Sequence, residues 1–91
     1  MIVEADGIRF DNNTYYADGD VLYVHVGSPD GAVDWDETPE GVHTRWGPDG
    51  ELVGLTIVNA RLMLERDGVI VVTLPDQRIE ITDVGDLLAA A

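Results

Sequence analysis

Two tetrapeptides, Ser28-Pro29-Asp30-Gly31 and Gly47-Pro48-Asp49-Gly50, constrain the fold of this chain more than any other feature. In each, Pro presets φ at an early turn position and Gly accepts a positive φ after it, so the backbone reverses within a few residues. Asp18-Gly19, Asp67-Gly68 and Pro75-Asp76 add further reversals. Between them lie short segments rich in Val, Ile, Thr and Tyr. Frequent turns between such segments predict an antiparallel, meander-like sheet.

The apolar pattern has the period of strands. Leu22, Val24 and Val26 alternate with Val21, Tyr23 and His25; Val42, Thr44 and Trp46 alternate with His43 and Arg45; Val53, Leu55 and Ile57 alternate with Leu52, Gly54, Thr56 and Val58. Side chains alternate across a strand, so the aliphatic members form one core face, with Trp46 on its parity. The 47–50 turn makes a hairpin of the second and third strands, and Ala32 to Trp35 is read as a further short strand. Residues 69–74 are apolar on both parities, which predicts a strand covered on both sides. Ile79 and Ile81 alternate with Arg78 and Glu80 in the next.

Residues 60–66 support two readings. Ala, Arg, Leu, Met and Glu favour a helix, with Asn59 as N-cap and Gly68 past the end, yet Asp67-Gly68 is also a hairpin signal. The helix is the expectation taken. Near the C-terminus Val84, Leu87 and Leu88 share one helical face, with Thr82 or Asp83 as cap and Asp83 and Asp86 at the positive end of the dipole. A helix of this length does not persist alone, so it must dock. The expected class is α+β: an antiparallel β-meander with a short helix near 83–90 and a further short helix near 60–66.

Composition then limits function. The 91 residues suit a single domain spanning 1–91. Five Arg, no Lys and 18 Asp plus Glu leave a net charge of −13. Nucleic-acid affinity rests on basic side chains that neutralise phosphates, and here the Arg residues stand singly, so nucleic acid and anionic membrane are excluded as partners. A basic protein is the partner such a charge steers toward. Without Cys there is no disulfide or thiolate metal site. No apolar run reaches the ~20 residues of a membrane helix, and the N-terminus lacks the pattern of a signal peptide. The expectation is a cytoplasmic protein.

A family resemblance runs through the middle of the chain. Asp20-Val21-Leu22-Tyr23-Val24 resembles the D-x-L-Y-[IV] strand of the small bacterial proteins grouped as domain of unknown function 2283. The stretches Asp36-Glu37-Thr38-Pro39-Glu40-Gly41-Val42 and Asp49-Gly50-Glu51-Leu52-Val53-Gly54-Leu55-Thr56-Ile57-Val58-Asn59-Ala60 resemble its second half. The resemblance covers about residues 14–60, leaving 61–91 as additional strands and helix. Ile8-Arg9-Phe10-Asp11 is similar to the strand with which members often open, although residues 12–15 intervene before the L-Y-V strand. The resemblance implies a β-rich fold and no catalytic residue. An antitoxin-like role follows from the likeness of some members to small partners of toxin-like proteins.

Three groups of residues are candidate sites. Tyr23, His25, His43, Arg45 and Thr56 share the face opposite the aliphatic core if their strands are neighbours, and together could bind a small anion or serve acid–base chemistry. Asp34, Trp35, Asp36 and Glu37 combine charge with an aromatic anchor of the kind enriched at interfaces. Asp11, Asn13, Asp18 and Asp20 offer oxygens, but Tyr16 stands where a calcium loop requires Gly and no Glu closes it, so no metal is expected. Phosphate-binding and nucleophile-elbow glycine motifs are absent, and Ser28, the only serine, lies in a turn. The expectation is therefore a non-enzyme with no cofactor: a protein-interaction module for a basic partner. A homodimer or small oligomer is also expected, since one short helix does not cover both faces at 69–74 and a neighbouring subunit would. The alternatives are a free-standing homo-oligomer without such a partner, and a small-anion or ligand binder using His25, His43 and Arg45.

Overall fold

The computed structural model describes residues 2–28, 31–82 and 84–89. Among the described residues nine strands and two helices follow in the order β1 (Val3–Ala5), β2 (Ile8–Phe10), β3 (Asn12–Tyr16), β4 (Val21–His25), β5 (Asp34–Glu37), β6 (His43–Trp46), β7 (Leu52–Val58), α1 (Ala60–Asp67), β8 (Ile70–Thr73), β9 (Arg78–Ile81) and α2 (Gly85–Ala89). The fold is α+β and every strand pairing is antiparallel.

Five strands form the main sheet in the order β3-β4-β7-β6-β5, while β1-β2 and β8-β9 are separate hairpins. Strands β5, β6 and β7 are a meander. Its β6–β7 turn forms as the Gly-Pro-Asp-Gly chemistry requires, with Gly50 at φ 80 and Gly50 N–H donating to Gly47 O at 3.0 Å. The 26–33 connection then carries the chain from β4 past two strands to the far edge, so β4 pairs with β7 rather than with β5. Pro29 and Asp30 of the first turn lie outside the described residues.

One face of the five-stranded sheet is the core. Tyr15, Leu22, Val24, Leu55 and Ile57 on that face join Val3, Phe10, Ile70, Val72, Ile79, Ile81, Val84 and Leu88 from the hairpins and α2 in one buried cluster. Removing these side chains from water supplies the main drive to fold, at about 25 cal/mol per Å² of apolar surface. Three corrections concern the apolar pattern. Leu52, expected on the opposite parity, is buried in the core while Val53 is half-buried, at the bulge where β6 and β7 shift register. Val26 falls beyond the end of β4 and is 37% exposed, because the strand ends at His25. Strand β8 buries Ile70 and Val72 fully but leaves Val71 half-buried and Thr73 exposed, so one parity, not both, faces the core.

Residues 60–67 take the helical alternative, closed by Gly68 at φ 75, whose N–H donates to Leu64 O at 2.8 Å. Asn59 occupies the N-cap position but its side chain makes no capping bond. Asp20 does that work from the β3–β4 turn: its carboxylate accepts the Arg61 N–H at 2.8 Å and the Leu62 N–H at 3.2 Å. At the other end of the chain α2 starts at Gly85, with Val84 and Leu88 buried as the helical spacing demands. Asp83 and the Asp86 side chain, expected at its N-terminus, lie outside the described residues.

Candidate functional site

The face of the sheet opposite the core carries the first group of candidates. Directly paired residues of neighbouring strands project to the same side, and the registers align two rows there. One runs Thr14, Tyr23, Thr56, His43, Glu37; the other runs Asn12, His25, Gly54, Arg45, Trp35. Tyr23, His25, His43, Arg45 and Thr56 are thus brought together on one face. Two members of the second group join them, since Trp35 stands opposite Arg45 and Glu37 opposite His43. Asp34 and Asp36 project to the other side of β5, so the acidic run does not act as one patch.

This face is aromatic and open. Tyr16 is 59% exposed and Trp35 60%, and the Tyr16 and Tyr23 rings meet edge to face at 5.6 Å. Between them the side chains of β3, β4, β6 and β7 enclose a shallow groove of about 530 Å³, whose lining includes Tyr16, Tyr23, His25, Arg45 and Thr56. His43 stands outside that lining, its Nδ1 3.9 Å from Glu37 Oε1. The two imidazoles therefore do not converge on one cleft.

His25 is the buried member of the face at 6% exposure. Its ring lies over Gly54: a Cβ built there would stand 2.5 Å from His25 Cδ2. Nδ1 lies 3.1 Å from Val26 O, so as the donor of that bond it leaves Nε2 an acceptor. Nε2 is buried and meets no partner.

Strand β5 forms an unusual edge. Its residues 34 and 36 turn their backbone groups toward β6, so those of 35 and 37 point outward. Both outward N–H groups are already taken, Trp35 N–H by Asp34 Oδ1 at 2.9 Å and Glu37 N–H by Asp36 Oδ1 at 2.8 Å. Carboxylates folded back in this way remove the outward donors and so disfavour strand addition, leaving only the outward carbonyls of Trp35 and Glu37.

The other acidic candidates have structural work. Asp11 Oδ1 accepts the Gly27 N–H at 2.8 Å, and Asp20 caps α1 while also accepting the Tyr15 hydroxyl at 2.7 Å. Burial raises the Asp20 carboxyl, but the Arg61 and Leu62 N–H groups, the Tyr15 hydroxyl and the Arg61 charge outweigh it and hold it below its ordinary value. Burial and the Asp20 carboxylate push the Tyr15 phenol up. Glu40, singled out by no motif, accepts from Thr73 N–H at 2.9 Å and Thr73 Oγ1–H at 2.6 Å, which ties the β5–β6 loop to β8. Burial raises its carboxyl and these bonds overcome that, leaving it lowered. Among the described residues no cluster of His, Asp and Glu has a metal-holding arrangement, and no helix is long and apolar enough to cross a membrane.

Tyr16, Thr14 and Asn12 also belong to the open face, although residues 12–15 stand in the sequence only as an interruption before the L-Y-V strand. The signal was present in Thr14-Tyr15-Tyr16, residues that favour strands. The strand leading into β4 is β3 itself; Ile8–Phe10, which resembled the family's opening strand, pairs instead with β1. No curated protein and no solved structure matches the chain. Residues 12–61 do match the model of a family described as proteins of unknown function, DUF2283. That segment starts at the first residue of β3 and ends at Arg61, whose N–H closes the Asp20 cap, so it contains the whole five-stranded sheet and its open face. It is 50 of the 91 residues, and the chain belongs to this family.

Proposed function

We propose that the protein is a non-enzymatic interaction module that uses the open sheet face and the adjoining β5 rim to bind a basic protein. The observation that carries this reading is Trp35. A side chain of this size stays 60% exposed at a sheet edge, in register with Arg45 and beside three carboxylates. Exposed aromatics flanked by charge are the usual anchors of interfaces. The net charge of −13 selects the partner by accelerating encounter with a positive surface. A nucleic-acid-binding protein presents such a surface, and the antitoxin-like role is one form of the module. A second copy is the competing occupant of this face, and the charge that each copy carries works against it.

The test is a pull-down from the native host, followed by reconstitution from purified components. The expected result is one captured protein, basic by composition, that rebinds the purified chain. Its affinity should fall about tenfold with Trp35→Ala, equivalent to about 1.4 kcal/mol, and should weaken as salt rises. Arg9→Ala on β2 serves as the control and should leave binding unchanged. Capture indifferent to Trp35→Ala and to salt, or self-association that accounts for all binding, would overturn the reading.

A further inference from the structure

We propose that the groove on the open face binds a small, flat organic carboxylate that carries its own hydrogen-bond donor. This goes beyond the protein-partner reading, because it assigns the β3-β4-β7-β6 part of the face to a small molecule.

Two unanswered groups point to it. The first is Arg45, half-buried in the groove. The other arginines mostly have partners: Arg9 lies 3.7 Å from Glu4, Arg66 pairs with Asp67 at 2.8 Å, and Arg61 bonds Leu88 O and stands over the Tyr15 ring. Arg78 is unpaired among the described residues and exposed. Arg45 has neither a hydrogen bond nor an ion pair with any described residue. In a chain with 18 carboxylates that is a selective omission. The groove lining contains no Asp or Glu at all, so Arg45 is its only formal charge when the imidazole is neutral. The flat fork of this guanidinium matches a carboxylate.

The second group is His25 Nε2, an acceptor buried without a donor. Such a group is costly and in native proteins calls for an explanation. The His25 ring borders the groove with Nε2 covered, so a donor on the ligand, a hydroxyl or an N–H, answers it once the imidazole swings outward from Gly54. Gly54, the residue between His25 and Arg45 in the row, carries no side chain, and the His25 ring rests in the space above it. The exposed Tyr16 and Tyr23 rings and the Thr56 methyl give a flat body its apolar contact. A volume of about 530 Å³ is within the range of small-molecule pockets.

The test is an NMR titration of the full chain with para-hydroxybenzoate and its ortho isomer, using para-hydroxybenzamide as the neutral counterpart and inorganic phosphate as a bare anion. para-Hydroxybenzoate is expected to produce saturable shifts confined to Tyr23, His25, Arg45 and Thr56 at up to about 10 mM, a weak but specific affinity, and the ortho isomer, whose hydroxyl is held by its own carboxylate, weaker ones. The amide should bind about tenfold more weakly, and Arg45→Gln, a half-buried surface change that keeps the fold, should weaken the acids by a similar factor. No saturable shift from either acid, equal binding of the amide or phosphate, or shifts indifferent to Arg45→Gln would overturn the proposal. No protein partner enters this experiment, so its failure leaves the interaction reading standing, and the failure of the pull-down leaves this one.

Discussion

The Asp20 carboxylate accepts the backbone N–H of Arg61 at 2.8 Å, although the two residues are 41 positions apart. A helix normally finds its cap in the residue just before it. Here Asn59 is turned to φ 62 and the cap comes from the β3–β4 turn, so the start of α1 is pinned to the main sheet. Asp20, at φ 53, is itself in a conformation that Asn and Gly tolerate and Ala does not.

Asp20→Ala should therefore cost about 2–3 kcal/mol, from the lost cap and the orphaned Tyr15 hydroxyl together. Asp20→Asn keeps an acceptor and the backbone tolerance, and should cost about 1 kcal/mol. Urea unfolding followed by far-UV circular dichroism measures both. Equal losses for the two variants would contradict this account of the cap.

Acid should weaken the fold through Asp20 and Glu40. Both are held below their ordinary values in the native chain, so the unfolded state takes up protons first as pH falls. Their contribution is complete above the unfolded carboxylate range near pH 4 and is lost as pH drops through the lowered native values. Tyr15 acts at the opposite limit. Its raised value means that the unfolded phenol ionises first, so stability declines as pH climbs past about 10. Thermal unfolding against pH should show Glu40→Gln flattening the acid limb and Tyr15→Phe flattening the alkaline one.

Gly54 and His25 should be energetically coupled. A Cβ on Gly54 would stand 2.5 Å from His25 Cδ2, so Gly54→Ala must displace the imidazole, at about 1–3 kcal/mol. In a His25→Ala background the same change should cost clearly less. A double-mutant cycle with no coupling would mean that the ring does not rest on the glycine.

The two tryptophans should be separable by fluorescence. Trp46 packs against the core and donates from Nε1 to Thr44 Oγ1 at 2.9 Å, whereas Trp35 is 60% exposed. Acrylamide should quench Trp35 preferentially, and Trp35→Phe should remove the accessible, red-shifted emission. Stability should then change by no more than about 0.5 kcal/mol, as for most surface substitutions.

Local chemistry explains what could be foreseen. The period-2 runs around Leu22, Leu55 and Ile79, the Gly-Pro-Asp-Gly hairpin, and the helical spacing of Val84 and Leu88 each depend on near neighbours, and each has its counterpart in the fold. The grouping of Tyr23, His25, His43, Arg45 and Thr56 was legible because strand parity fixes the face once β4, β6 and β7 lie together. Strand order was not legible, since the jump from β4 to the far edge leaves no local mark. The bond from Asp20 to α1 and the Glu40–Thr73 clasp join residues distant in sequence, so spacing could not reveal them. That Trp35 and Glu37 lie on the same face as the His and Arg candidates became visible only with the β5–β6 register.

The edge of β5 bears on what can join the sheet. With both outward N–H groups held by Asp34 and Asp36, the strand keeps outward carbonyls but offers an added peptide no donors, so half of the ladder of a new strand cannot form. Pairing blind to sequence is weakened, and side chains gain weight in any contact made along this rim. Trp35 and Glu37 can then vary without freeing those donors, while the aspartates on alternate positions hold the sheet at its present width.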